Sequence, residues 1–349
     1  MSWPDREAIE KSVVDLLRVN LSMKPGDKLL VVCDFPRAQD WQSLAPSDLA
    51  DRLERTMLGR LMVEIGNEHF DGSATQLLAF PATGRHGQEP GPEIAAQMRQ
   101  ADVLVCLTTY SLSHTDAREA ATKAGVRVAS MPGFTHAMLV EGGPMAVDYN
   151  QVAADCRRFA NLLTIAEEVV VRAPHGTDLR FSIRGRPGKV DDGLYGLKPG
   201  LWGNLPAGEA YVIPLEGTAE GTLVAPAGWY PGLTGDMAFT FQQGLVVKLT
   251  GGGPVGDHFR ELLKLDSDEP LYRARRNLAE LGIGTNPNAR RPDNVLEAEK
   301  IQGTVHVAIG DNIHMGGQVE SDLHDDFVQP EVDLFLDGQP VILRGKWQI

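Results

Sequence analysis

Short apolar runs and helical spacings alternate through the first half of the chain. Ser12 to Leu21 is apolar at helical spacing, and Lys28 to Asp34 (KLLVVCD) is a short apolar run entered through Pro25-Gly26-Asp27, the mark of a strand. Ser47 is the expected N-cap of a helix carrying Leu49, Leu53, Met57, Leu61 and Ile65 at regular intervals. Thr75 to Phe80 reads as a strand, Pro92 to Gln100 as a helix and Asp102 to Thr108 as a strand. Ser113 or Thr115 then caps a helix ending at Gly125, ahead of a strand over Val126 to Met131. Nearly continuous apolar strands between helices make βαβ units. The pattern therefore predicts an α/β domain with a buried parallel sheet, Rossmann-like or flavodoxin-like, over residues 1–166.

After a further helix near Asn150 to Ala166 the texture changes. Val169 to Arg172, Asp178 to Ile183, Tyr211 to Leu215, Gly221 to Ala225 and Ala238 to Leu249 are strand-like runs punctuated by Gly and Pro, and Gln242-Gln243-Gly244 reads as a hairpin turn. Helical patterning returns at Asp257 to Lys264 and at Pro270 to Leu281. Residues 167–349 are thus expected to form a β-rich α+β domain.

Composition narrows the class of partner. The chain has 349 residues, 42% apolar and 23% charged, enough for two globular domains with sizeable cores. Lys and Arg number 33 against 47 Asp and Glu, a net charge of −14 with no long basic run, which argues against nucleic acid or an anionic membrane surface and favours a small molecule or a metal ion. Cys33, Cys106 and Cys156 are few, odd in number and widely spaced, so no disulfide framework is expected. Met1 to Lys11 (MSWPDREAIEK) lacks the pattern of a signal peptide, and no run is long and apolar enough to span a bilayer; a cytoplasmic location is the expectation. The first strand is not followed by Gly-x-Gly-x-x-Gly or a Walker-type motif, and the Gly251 to Gly256 cluster has no Lys or hydroxyl placed to hold a phosphate.

The candidate chemistry lies in the last third. His306, His314 and His324 fall in a short acidic stretch. His324-x-Asp326 has period-two spacing, so on an extended backbone both side chains share a face and offer two corners of a site for Zn, Fe, Mn or Co; the bland alternative is a solvated acidic turn. His306 lies in an alternating strand, as either a ligand or a packing residue. Glu209 stands where a turn enters an apolar strand. Glu280 falls near the expected helix C-terminus, where the dipole disfavours an anion. Arg290, Arg291 and Lys300 are either anchors for a substrate carboxylate or surface charges.

The runs LPAGEAY, GTVHVAIGDN and SDLHDDF resemble the metalloaminopeptidases of peptidase family M29, the aminopeptidase T and S type. The resemblance implies a divalent-metal site, with one or two ions of Zn, Co or Mn, held by Glu209, Glu280, His306, His324 and Asp326. It further implies a homodimer acting on short peptides or small molecules. That family's tyrosine after the first histidine is missing, since Gly310 to Met315 reads GDNIHM; Asn312 or His314 would then serve as the donor and Glu280 as the proton shuttle. The leading expectation is a metal-dependent hydrolase that cleaves an amide bond with metal-activated water. The run LGIGTNPNAR, however, is similar to a branch of the same superfamily, the 2,5-dihydroxypyridine 5,6-dioxygenases, which hold one Fe(II) and carry a histidine ligand where this chain has Glu280. The alternative is therefore a non-haem Fe(II) dioxygenase that opens a dihydroxypyridine-like ring, and a second alternative is a non-catalytic small-molecule-binding relative.

Overall fold

The computed structural model describes residues 4–349; Met1 to Trp3, the start of the stretch read for a signal peptide, lie outside it. The architecture is mixed α/β with three sheets. The chain forms two compact units, Met1–Asn150 with Gly193–Ala207, and Gln151–Asp192 with Gly208–Ile349. The sequence pattern puts one boundary after residue 166, whereas the structural boundary lies ahead of most of the helix Tyr149–Ile165, which buries Phe159 and Leu163 in the core of the second unit. The return of Gly193–Ala207 to the first unit is a long-range pairing that no local pattern signals.

In the first unit, the strands Ala74–Pro81, Lys28–Phe35, Val103–Leu107, Arg127–Ser130 and Trp202–Asn204 lie side by side in that order, all parallel. Period-two alternation sends successive residues of the strand Lys28–Phe35 to opposite faces. Leu29 and Val31 meet the helix Pro46–His69, which approaches closely because Gly66 and Gly59 present no side chain to them. Leu30 and Val32 pack with Leu104 and Cys106 against Met98, Ala117 and Ala121 of the helices Pro92–Met98 and Asp116–Lys123. Both faces are therefore covered, which explains the uninterrupted apolar runs. Thr115 caps the helix Asp116–Lys123, its Oγ1 accepting from the Arg118 N–H at 3.2 Å. The cap expected at Ser47 is displaced: the helix begins at Pro46, whose missing N–H costs nothing in a first turn.

The second unit contains two antiparallel sheets. One runs in the order Leu245–Gly251, Met237–Gln242, Glu220–Ala225, Asp178–Ser182, Glu168–Arg172, Asp333–Leu336, Gln339–Leu343 and Lys346–Trp347. The other runs His324–Gln329, Val305–Gly310, Leu278–Gly284, Glu209–Val212 and Lys189–Asp191. Gln243 and Gly244, at φ 46° and 78°, make the expected two-residue hairpin turn. A single core is shared by both sheets: Val169, Leu179, Leu223 and Leu334 from the first, and Val212, Leu281, Val307 and Phe327 from the second. Within it the Phe239 and Phe327 rings lie 4.6 Å apart.

One predicted element changes identity. The helix expected over Pro270 to Leu281 ends at Arg275, and Leu278–Gly284 is a strand hydrogen-bonded on both sides. Pairing with two neighbours overrides the helical propensity of Leu-Ala-Glu-Leu. Cys33, Cys106 and Cys156 are buried free thiols. Among the described residues no helix is long and apolar enough to cross a membrane.

Candidate metal centre

The five-stranded sheet of the second unit sorts its residues by face. Val305, Val307, Ile309, Leu281, Ile283, Phe327 and Val212 point into the core. The alternate positions are Glu209, Glu280, His306, Asp326 and His324, interspersed with Gly282, Gly284, Ala308 and Gly310. Cross-strand register sets Ala308 against both Glu280 and Asp326, His306 against Gly282, and Gly310 against His324. Small residues thus stand between the polar ones and leave room above the sheet. Glu280 reaches this face through a β-bulge: the register shifts between Leu278 and Glu280, so that Leu278 remains in the core while Glu280 turns to the opposite side.

Four of these groups form a ring of alternating nitrogen and oxygen donors. His306 Nε2 lies 3.7 Å from Glu280 Oε1, Glu280 Oε2 lies 3.5 Å from His324 Nε2, and Asp326 Oδ1 lies 3.8 Å from both imidazole nitrogens. Donors about 2.1 Å from a common ion stand roughly 3.0–3.5 Å apart, and the neighbouring pairs around this ring, at 3.5–3.8 Å, are slightly wider than that. Asp326 Oδ1 is buried and makes no hydrogen bond, a costly arrangement without a cation. His324 Nδ1 donates to the Asp311 carbonyl at 2.8 Å, which fixes the tautomer and leaves Nε2 as the ligating atom. The trios Glu209–Glu280–His306 and Glu299–His306–Asp326 each bring their ligand atoms within 4.8 Å of one another.

Glu209 is held differently. Its Oε1 accepts from His306 Nε2 at 2.9 Å, and its Oε2 is in a close ion pair with Lys300 Nζ. Lys300, 1% exposed, also contacts Glu299 at 3.1 Å and Asp191 at 3.2 Å. It is thus neither a surface charge nor an exposed anchor.

The electrostatics of this face favour positive charge. Burial works against charge on His306 and His324, but the surrounding carboxylates outweigh it: Glu209, Glu280 and Asp326 hold His306 far above the usual imidazole range, and Asp326 and Glu280 raise His324 to about 9. Burial pushes Glu280 and Glu299 upward. For Glu209 burial is overcome by Lys300 and His306, which keep it ionised. Surroundings that hold protons this firmly on two imidazoles also favour a divalent ion, which would bind the neutral imidazoles and release those protons.

The remaining candidates fall elsewhere. Asn312 is buried, its amide donating to Glu216 Oε1 at 3.0 Å and its carbonyl oxygen accepting from Val319 N at 2.8 Å; it shapes the loop before the strand His324–Gln329. The His314 side chain is 61% exposed and pairs with Asp311. Arg291 pairs with exposed Asp293, and the Arg290 backbone N–H donates to Glu297. Besides Glu299 of the second trio, Gly282 and Tyr211 escaped the sequence reading. Gly282 lies beneath the His306 ring, where an added Cβ would come within 2.0 Å of Cε1. Tyr211, two residues after Glu209, shares its face of the strand, and burial together with Glu280, Glu209 and Asp191 keeps it a neutral phenol. The Glu-x-Tyr spacing was the available signal, since a strand at this point carries both to one side.

Comparison with known proteins bears on the chemistry. The profile of a family described as "NicX: 2,5-dihydroxypyridine 5,6-dioxygenase" matches residues 23–349. A 2,5-dihydroxypyridine 5,6-dioxygenase of Pseudomonas putida strain KT2440 is 26% identical over 277 residues, spanning 72% of this chain and 73% of that protein. In fold, the chain is similar to the 2,5-dihydroxypyridine dioxygenase structure from the same organism, with a TM-score of 0.71, 18% identity and coverage of 98% and 97% of the two chains. It is also similar to AmpT from Thermus thermophilus, with a TM-score of 0.66, 16% identity and coverage of 99% and 100%. The likeness to AmpT is one of fold alone; the family that the sequence matches is that of the dioxygenases. The family match and the curated relative overturn the reading as a hydrolase of the aminopeptidase kind, because both name a dioxygenase. The physical reason for the error is that the motifs LPAGE, GTVH and HDD specify donors for a cation, which is common to both chemistries, and not the reaction carried out beside it.

Proposed function

The chain belongs to the 2,5-dihydroxypyridine 5,6-dioxygenase family, and from that premise we propose that it is a non-haem iron dioxygenase that opens the ring of a dihydroxypyridine-like substrate. The observation that carries the reading is the ring of His306, Glu280, His324 and Asp326, with its unbonded buried Asp326 Oδ1. Two imidazoles with carboxylate oxygen are a donor chemistry that suits Fe(II). Glu280 stands where the family resemblance expects histidine, which makes this set richer in carboxylate. Ferrous iron, when bound, supplies the electrons that allow ground-state dioxygen to react with a hydroxylated aromatic ring.

The chain's own residues do the rest. His306 and His324 are oriented from behind, the first over Gly282 and the second by the Asp311 carbonyl. Glu209, kept ionised by Lys300, accepts from His306 Nε2 and holds that imidazole at the edge of the donor set. Tyr211, a neutral phenol, offers an O–H to an oxygen of the ring substrate. On the same reading the first unit is flavodoxin-like and the protein works as a homodimer.

The test is to mix Fe(II)-loaded protein with 2,5-dihydroxypyridine with and without air. Loss of the ring's ultraviolet absorbance only in air supports the reading. An unchanged spectrum in air, with iron bound, refutes it.

A further inference from the structure

Lys300 is the least ordinary group in the second unit: a fully buried ammonium among three carboxylates, Asp191, Glu209 and Glu299. Its position is fixed by the backbone. The Lys300 N–H donates to Glu297 O and its carbonyl accepts from Asn286 N, while the next residue, Ile301, bridges to Asn286. Burial and contacts with all three carboxylates hold the ammonium in place above this anchored backbone.

Glu209 is shared between two cationic positions. Oε1 faces His306 at the edge of the donor ring, and Oε2 faces Lys300 Nζ. A carboxylate that bridges two metal ions uses its oxygens in the same way, one for each ion. Here the second position is filled by a side chain. We propose that the Lys300 ammonium takes the place of a second metal ion and so restricts the centre to a single divalent cation. Removal of the ammonium would leave a buried hole lined by Asp191, Glu209 and Glu299, three hard oxygen donors suited to a divalent ion. The proposal rests on the reading of the donor ring as a metal site, but not on which reaction that metal supports.

The test uses Mn(II) as the probe. Chelator-stripped wild type, K300A and K300R are titrated with Mn(II), and the loss of the free-ion paramagnetic resonance signal gives the stoichiometry. One tight equivalent is expected for wild type and K300R, and two for K300A, the latter with the spin coupling of neighbouring ions. Two tight equivalents in wild type overturn the proposal even if K300A does not fold. So does a folded K300A that binds one. Wild type that binds none removes the metal reading as well. One equivalent without ring opening leaves this proposal standing and removes only the dioxygenase.

Discussion

Gly282 and His306 are direct cross-strand partners, and the imidazole of His306 occupies the space into which any side chain at position 282 would project. The closest approach of an added Cβ is 2.0 Å, to a ring held in place by backbone pairing on both sides of its strand. Gly282→Ala is expected to move the ring off the donor set, lowering affinity for a divalent ion about tenfold or more and costing roughly 1–3 kcal/mol of stability from overpacking. Metal titration of the folded variant, with chemical denaturation alongside, measures both. Unchanged affinity would show that the ring has room to move.

The alternation of the strand His324–Gln329 separates metal binding from packing. Asp326 points to the donor ring and Phe327 into the core, stacked on Tyr230 and packed against the rings of Phe239 and Phe259. Asp326→Asn is expected to weaken metal binding by more than the roughly 10- to 100-fold typical of outer-shell partners. Phe327→Ala is expected to cost about 3–5 kcal/mol of stability while leaving the affinity of the folded protein nearly intact. Urea denaturation and metal titration on both variants decide the matter; the reverse pattern would place the wrong residue in the core.

Tyr211 gives a kinetic prediction. Loss of its hydroxyl removes a donor to substrate and leaves the metal donors untouched, so Tyr211→Phe should raise KM several-fold, equivalent to about 1 kcal/mol, with metal affinity unchanged. Steady-state kinetics of the iron-loaded variant test this. An unaltered KM would place the phenol outside the substrate's reach.

Asp40, in the first unit, links stability to pH. Hydrogen bonds from Arg37, and the neighbouring Arg52 at 2.5 Å, lower its carboxyl to about 2. Because the folded value lies below the ordinary one, this contribution is complete above about pH 4 and is lost as pH falls toward 2. Wild type and Asp40→Asn should therefore differ in stability most above pH 4 and converge toward pH 2. Urea denaturation across that range tests it, and a constant difference would contradict the pairing.

The alternating half of the chain was readable because its buried parallel strands are apolar on both faces and several helix starts carry a local mark, Thr115 as a cap and Pro46 and Pro92 in first turns. The strands carrying His306 and His324 were readable for a related reason: period-two spacing survives in GTVHVAIG and HDDF. What escaped was non-local. The bulge ahead of Glu280 exists only in pairing with Val305–Gly310, so the carboxylate looked like a badly placed helix-terminal residue. Trp202–Asn204 joins a sheet begun far upstream. Lys300 gave no local sign of burial, because two of the three carboxylates that hold it, Asp191 and Glu209, come from distant stretches of the chain. The reaction was illegible for a different reason: donor identity and spacing describe affinity for a cation, while the choice between water and dioxygen depends on what surrounds it.

The most direct test of the central claim is isotope incorporation. Iron-loaded protein turned over with 2,5-dihydroxypyridine under oxygen-18 gas is predicted to yield a ring-opened product carrying two heavy oxygen atoms, one molecule of dioxygen consumed for each ring. A product bearing label only when the heavy isotope is supplied as water would contradict the account.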